Sequence, residues 1–542
     1  MLTYSFAERG QLSLYEHLYR SIKDDIEQGR IAAGEKMPSK RSFAKHLGVS
    51  LITVEGAYAQ LVAEGYLRSE PRRGFYACDI ACSSLKCLGQ PTKGGGAVRA
   101  TGTSKTPTSH VVAHSDPKHS TKSPLLGELK STATTENPCS NGIFADFTGA
   151  SDQSDAFPYG TWAKSVREAL TYEPETDLVG QVPAAGTFRL RKAIADYLLA
   201  FRGMDVDPEY VVIGAGSQVL YNLIVQLLGR DLRFGVEDPG YARLRQIYCA
   251  NDVALSAIPL DGQGICLDAT YEANVNVLHL MPSHQYPTGI VTSIGRRYEL
   301  LAWASEQSGR YLIEDDYDCE FRLTGRPIPS LQSIDALGKV VYVNTFTKSL
   351  GPAFRIGYMV FPPELAQRFR DKLGFYSCTV SAIDQLALAR FIEGGDFERH
   401  VNRMRTRYRG RRDALIAQLQ QSALRDRVVF SAQDAGIHFL LGIKPSGGAS
   451  AKTWEQAFVR SAAKRGVALR AVSSFYANDG ERDAGSNGSP FTSAMTFVPG
   501  DSQPTIPRFV ISYGGVSEEA LPAAANVLEK AAEAADNTCS AL

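Results

Sequence analysis

No apolar run in this chain approaches the roughly 18 residues that a bilayer-spanning helix needs, so a helical membrane protein is excluded. The opening stretch, MLTYSFAERGQLSLYEHLYR, lacks a cationic segment leading into an apolar one, so no secretory signal is expected and the cytoplasm is the expected compartment. Nor is there an excess of charge of either sign. Lys+Arg and Asp+Glu both total 58, so binding to nucleic acid has to be argued from a local patch. Cysteine supplies no framework: the nine are odd in number and scattered, and Cys78, Cys82 and Cys87 lack the Cys-x-x-Cys spacing of a zinc site, which leaves reduced thiols. What the chain does have is length. Its 542 residues exceed what one hydrophobic core normally serves, and a content of 44% hydrophobic and 21% charged residues is that of globular proteins, so two or three folded domains are expected.

Residues 1–78 alternate helical periodicity with turn signals, and the composition then changes abruptly. Residues 79–141 are dominated by Ser, Thr, Gly, Pro and Lys, too poor in large apolar side chains to offset the entropy of ordering, and are read as a flexible linker. From 142 to 542, buried-strand runs (VVIGA, RFGVEDP, NVNVLHLMP, RYLIEDDYD, KVVYVNTFT) alternate with amphipathic helical stretches. That is the pattern of an α/β body around a largely parallel sheet. The polar run 476–490 is expected to be a surface loop or hairpin.

In the N-terminal part, Leu14, Leu18, Ile22 and Ile26 recur at helical spacing and Gly29 stands where that helix should stop. Ser39 can cap a second helix (KRSFAKHL), Gly48 makes a tight turn, and Ser50 can cap a third (LITVEGAYAQLVAEG). The pieces YLRSE and GFYAC, joined by PRRG, then form a two-stranded wing. In this geometry the third helix enters the major groove by its N-terminal end, which places Ser50, Leu51, Thr53 and Val54 near base edges, with Thr53 as the polar reader. Ser39, Lys40, Arg41 and Lys45 before the turn, with Arg68, Arg72 and Arg73 on the wing, form the local patch for DNA phosphates. A three-helix protein-interaction module with incidental basic residues is the competing reading.

Three pieces of the body carry chemistry. VYVNTFTKSLGPAFRIGY is a strand ending in a hydroxyl-rich turn with Lys348, and Arg355 follows seven residues later. Pyridoxal phosphate is held by such a lysine as a Schiff base, with hydroxyls and an arginine on its phosphate, roles that Thr345, Thr347 and Arg355 fit. YLIEDDYDCEF delivers Glu314, Asp315 and Asp316, then Tyr317. One carboxylate there can pair with the pyridine nitrogen, and the phenol can bond the ring hydroxyl. A metal site competes with this reading, but no histidine accompanies the acids in the sequence. VVIGAGSQVLYNLIVQLL is a strand, a glycine turn and a helix, whose free amides at Ala215, Gly216 and Ser217 can bind an anion.

The run PSKRSFAKHLGVSLITVEGAYAQLVAEGYLRSEPRRGFYA resembles the winged helix-turn-helix of the GntR family of bacterial repressors over about residues 12–77. Gly214 to Gln218, VEDPGYARLR, MPSHQYPTG, IEDDYDCEF and TFTKSLGPAFRIGY occur in the order found in fold type I aminotransferases, and together the two halves resemble the MocR subfamily. That resemblance implies a fold type I body with a smaller C-terminal α+β domain from roughly 405. It makes Lys348 the cofactor lysine, Asp315 the partner of the pyridine nitrogen and Tyr317 the partner of the ring hydroxyl. Tyr241 and His284 would contact the cofactor, and Arg243 would face an effector.

Two departures from the enzyme pattern bear on activity. Tyr286 stands where the enzymes carry a ring-contacting asparagine, and Val510 where they carry a carboxylate-binding arginine; Arg508, two residues earlier on the same strand face, is the candidate replacement. The expectation is a regulator in which an amino compound, bearing an anionic group, forms an external aldimine in place of Lys348 and changes DNA binding. A homodimer on two operator half-sites is implied by the resemblance. A working aminotransferase with an accessory DNA-binding head, and a cofactor-free dimerisation scaffold, are the alternatives.

Overall fold

A computed structural model describes residues 13–70, 73–80, 142–149, 157–323, 329–433, 436–446, 450–477 and 506–540, with Leu2, Tyr4 and Phe6. Arg72, nearly all of the 79–141 segment and most of the polar run 476–490 lie outside the described residues. No helix among the described residues is long and apolar enough to cross a membrane.

The head forms because three serines start three helices. Ser13, Ser39 and Ser50 each accept a backbone N–H from the residue three positions on, opening α1 (Leu14–Glu27), α2 (Lys40–Leu47) and α3 (Leu51–Ala63). Gly48 ends α2 with φ 66°, a conformation that side chains resist. Leu18, Ile22, Phe43, Val54, Ala57, Tyr58 and Leu61 form the core of the three helices. β1 (Leu67–Glu70) and β2 (Gly74–Ala77) pair antiparallel from Leu67↔Ala77 to Glu70↔Gly74, which is the wing.

The head is seated on the body. Ile294, the first residue of the helix Ile294–Ser305, belongs to the head's own core, and its N–H donates to the Glu64 carbonyl at 3.1 Å.

The body begins with β3 (Ala145–Asp146) and is built on an eight-stranded sheet of β4 (Val211–Gly214), β5 (Arg233–Asp238), β6 (Ala254–Asp261), β7 (Gly264–Ile265), β8 (Val277–Leu280), β9 (Tyr311–Asp315), β10 (Val340–Thr345) and β11 (Gly357–Val360). The order is β4-β11-β10-β9-β8-β5-β6-β7, parallel from β10 through β6, with β11 antiparallel to both neighbours. Both faces are covered, which is why these strands read as continuous apolar runs.

Register aligns the strand ends that matter. Gly214 faces Gly357, Gly357 faces Thr345, and Asp315 lies one strand over, facing Val343. Ligands of open α/β sheets bind at such carboxyl ends.

A second, antiparallel sheet, β12 (Val428–Ser431), β13 (His438–Ile443), β15 (Arg470–Ala471) and β16 (Arg508–Ser512), runs in the order β12-β13-β16-β15. Beside it β14 (Val467–Ala468) pairs in parallel with β3, so the start of the body is stitched to its C-terminal part. The helix Asp396–Gln421 runs unbroken through position 405.

Candidate cofactor site and DNA-binding face

The phosphate end is built by the turn after β4. Gly216 adopts φ +83° and Arg355 φ +50°, and the Arg355 guanidinium donates to the Ala215 carbonyl at 3.2 Å. A Cβ on Gly216 would stand 2.6 Å from that guanidinium and would displace it, and the positive φ itself favours glycine. The expectation of three free amides is corrected here: the Ala215 N–H donates to Thr379 Oγ1 at 2.9 Å and the Gly216 N–H to the Gly214 carbonyl at 2.7 Å. What remains for an anion is the start of the helix Ser217–Leu228, where the first amides lack intrahelical acceptors, and the exposed cation of Arg355. Thr345 ends β10 and is buried, while Thr347 and Lys348 are half-buried in the single helical turn Thr347–Leu350 that follows. Gly216→Ala is expected to weaken cofactor affinity by about tenfold or more through backbone strain and the clash with Arg355. Titration of the apo protein with cofactor checks this, and unchanged affinity would count against the cradle.

The other end is anchored by Asp315. Its Oδ2 accepts from Tyr221 at 2.5 Å and has His279 Nε2 at 3.5 Å, while its Oδ1 is buried without a hydrogen-bond partner. A buried carboxylate oxygen in that condition is costly unless a donor is supplied, and a protonated pyridine nitrogen is such a donor. Tyr221 was not among the sequence candidates, although it lies four residues after Ser217 and so on the same helix face. His279 in turn bonds Tyr248 at 2.7 Å. Together the glycine cradle, Arg355, Lys348 and the open Asp315 oxygen fit pyridoxal 5′-phosphate.

Around Lys348 the two parts of the body meet. Tyr317 and His284 lie 3.2 Å apart (Oη to Nδ1), and His284 Nδ1 lies 2.9 Å from Asp318. The His438 ring lies 4.4 Å from His284, with its Nε2 on the Pro287 carbonyl at 3.2 Å. Burial first, then His284 and Lys348, hold His438 well below the usual histidine range, so it is neutral. The premise that no histidine accompanies the acids is therefore overturned in space, since His284, Asp318 and His438 converge closely enough to hold a metal ion. Their hydrogen bonds to one another and to Pro287 already account for most of those atoms. Tyr241 and Tyr286 complete the wall, with ring centroids 6.1 Å apart, and Phe475 lies 5.2 Å from Tyr286.

Arg243 is exposed on the helix Ala242–Ala250, two residues after Tyr241. Arg508 opens β16, two residues before Val510. It faces Gly442, four residues along β13 from His438, or about 13 Å at strand rise, and its guanidinium lies 3.4 Å from Ser431. The two-residue period was right about the face of the strand and silent about which end lies at the site. Val510 packs with Leu440, Val472 and Phe475.

Below the wall, Glu237 is buried and accepts from the Met281 N–H at 3.1 Å. Burial pushes its carboxyl from 4.5 up to about 8. The folded chain thus holds a proton that the unfolded chain has already released. Stability from this group is fully present below 4.5 and is lost as pH rises to about 8. Glu237→Gln is expected to flatten that decline and to be the more stable protein at the alkaline end; identical slopes in urea melts of the two proteins would refute it.

On the head, Val54 is fully buried and is a core residue, not a base contact. Ser39 is committed to capping α2, and Arg41 and Lys45 are exposed beside it. Lys40 lies 3.5 Å from Glu55, and Arg68 and Arg73 lie within 3.3 Å of Glu70, exposed pairs that phosphates can displace.

A model of "Bacterial regulatory proteins, gntR family" matches residues 14–77, and one of "Aminotransferase class I and II" matches residues 158–484. The chain is 36% identical to the uncharacterized HTH-type transcriptional regulator YdeL of Bacillus subtilis, over 86% of this chain and 90% of that one. It is 30% identical to the probable rhizopine catabolism regulatory protein MocR of Rhizobium meliloti, over 79% and 81% of the two chains. Among solved structures, the multiple substrate aminotransferase of Thermococcus profundus superposes with a TM-score of 0.59 at 24% identity, covering 73% of this chain and 93% of that one, which shows the fold. The chain therefore belongs to the MocR-type transcription regulators, in which a GntR winged helix-turn-helix is fused to a class I and II aminotransferase body.

Proposed function

We propose that this regulator binds pyridoxal phosphate at Lys348 and adjusts its hold on operator DNA when a small amine that also carries an anionic group occupies the body. The observation that carries this reading is the seat of the head. The helix Ile294–Ser305 enters the head's core through Ile294, and three residues on Arg297, fully buried, donates to the carbonyls of Pro282 at 2.7 Å and Thr292 at 3.0 Å. Pro282 opens the segment that carries His284 and Tyr286. Arg297 also lies 3.7 Å from Glu314, the neighbour of Asp315. A shift in the site wall is thus one buried side chain away from the head, and rigid buried contacts transmit such shifts as discrete states.

When bound, pyridoxal phosphate supplies a carbonyl that exchanges the Lys348 amine for the amine of a ligand. Asp315 Oδ1 holds a proton at the ring nitrogen, Tyr317 orients the ring hydroxyl, and Arg355 with the Ser217 helix start binds the phosphate. Tyr241 and Tyr286 exclude water, and Arg243 selects the anionic end of the ligand. Val510, in its apolar setting, disfavours rapid turnover. Tyr159, Tyr172, Val179, Phe375 and Tyr376 are exposed on the single chain, apolar area that a second copy would cover, which supports a homodimer with heads at 1–78 and bodies at 142–542.

The test is fluorescence anisotropy of the cofactor-loaded protein on its own upstream DNA while candidate amino acids and aminosulfonates are added. The expected result is a change in DNA affinity of roughly 5-fold or more for one of them. Constant affinity accompanied by keto-acid production would overturn the regulatory reading in favour of an enzyme.

A further inference from the structure

Resting on the reading of the head as a DNA-binding module, we infer that α3 recognises its operator through apolar contact with thymine methyl groups, with Ile52 as the side chain that sets the preference and Leu51 beside it.

The first turn of α3 has few polar groups to offer. Ser50 Oγ accepts the Thr53 N–H at 3.1 Å and lies 2.8 Å from Thr53 Oγ1, so the two hydroxyls at the helix start are bonded to each other. Val54 is buried, and Glu55, paired with Lys40 in the free protein, can at most accept from a cytosine amino group. Ile52 is 79% exposed and Leu51 37%, whereas Leu18, Ile22, Ile26, Ile31 and Leu61 are in the head's core.

An isoleucine so exposed at the N-terminal end of a recognition helix gains nothing in the free protein, where water covers it. In the major groove its natural counterpart is the C5-methyl of thymine, the one apolar group displayed on a base edge there. Arg41 and Lys45, exposed on α2, and Arg68 and Arg73 on the wing supply cations for the DNA backbone, contacts that fix register without reading sequence. Guanine readout, which needs a bidentate Arg or Lys, has no donor on this turn.

A random duplex pool selected against the full-length, cofactor-loaded protein supplies the operator. The recovered site is then resynthesised with deoxyuridine in place of thymidine, one position at a time, which removes the methyl and leaves base pairing intact. The expected result is one position in each half-site where loss of the methyl weakens binding roughly fourfold, the worth of one buried methyl group. Ile52→Ala should bind the thymidine and deoxyuridine duplexes alike, at the affinity of the parent for the deoxyuridine duplex. Ile52 is on the surface, so this variant keeps the head's core. No methyl-sensitive position, or an Ile52→Ala protein that keeps the full penalty, would overturn the inference. A selection that recovers no preferred sequence would instead overturn sequence-specific reading by the head, and this inference with it.

Discussion

Lys348→Ala is expected to yield a protein with no visible band from lysine-bound cofactor, and DNA affinity that no longer responds to any amine, while basal DNA affinity stays within about twofold of the parent. The separation follows from where the groups lie. Lys348 is half-buried in the turn after β10, close enough to His438 to disfavour its protonation, and it makes no part of the head's core. The head is held by Ile294, Glu64 and its own apolar residues, none of which the substitution touches. A ligand response of 5-fold or more in the parent should therefore fall to none. Lys348→Arg keeps the charge and removes the primary amine, and should behave as the alanine variant does. Absorption spectra and anisotropy on one preparation check both halves. A variant that still responds to amines would show that the response does not pass through Lys348.

Much of the site could be read from local sequence because its parts lie at the ends of strands whose apolar runs are unmistakable. Asp315 and Lys348 each follow such a run, and parallel pairing of β9 with β10 brings them to one edge. Tyr221 was within reach too, four residues after a helix start that had already been located. The histidines were not. His438 reaches His284 only because a second sheet, more than a hundred residues later in the chain, folds back over the loop after β8, and no local period encodes that approach. Arg508 is a similar case: its face is set by alternation, but its place along the second sheet is set by pairing with Gly442. On the head, the candidate readers were chosen by polarity, a choice that passes over an exposed isoleucine. The serine that starts α3 and the threonine three residues on are bonded to each other, and Ile52, overlooked because isoleucine is ordinarily core, is the most exposed side chain of the turn.

Arg202→Met should lower stability by about 3–5 kcal/mol, the range for removing one partner of a buried ion pair. Arg202 ends the helix Phe188–Arg202, and its side chain is 1% exposed, as is that of Asp316, to which it donates at 2.6 Å. Asp316 also accepts from Tyr342 at 2.8 Å. With methionine in place of the guanidinium, the carboxylate keeps the phenol and loses the only cation paired with it among the described residues, and an uncompensated charge in that setting is the main cost. Its origin can be isolated. Arg202→Met combined with Asp316→Asn removes the orphaned charge while keeping the shape, and should recover a large part of the loss. Urea melts followed by fluorescence, with the slope held constant across variants, give the comparison. A single variant within about 1 kcal/mol of the parent would show that the pair is already neutralised by its surroundings. The consequence would also reach the cofactor. Arg202 donates to Ser283 at 3.2 Å, next to His284, and Asp316 adjoins Asp315, so the pair fixes both the loop that bears the wall and the strand end that bears the anchor. Cofactor affinity should fall with stability in the single variant and return with it in the double, whereas a purely local packing defect would leave affinity unchanged.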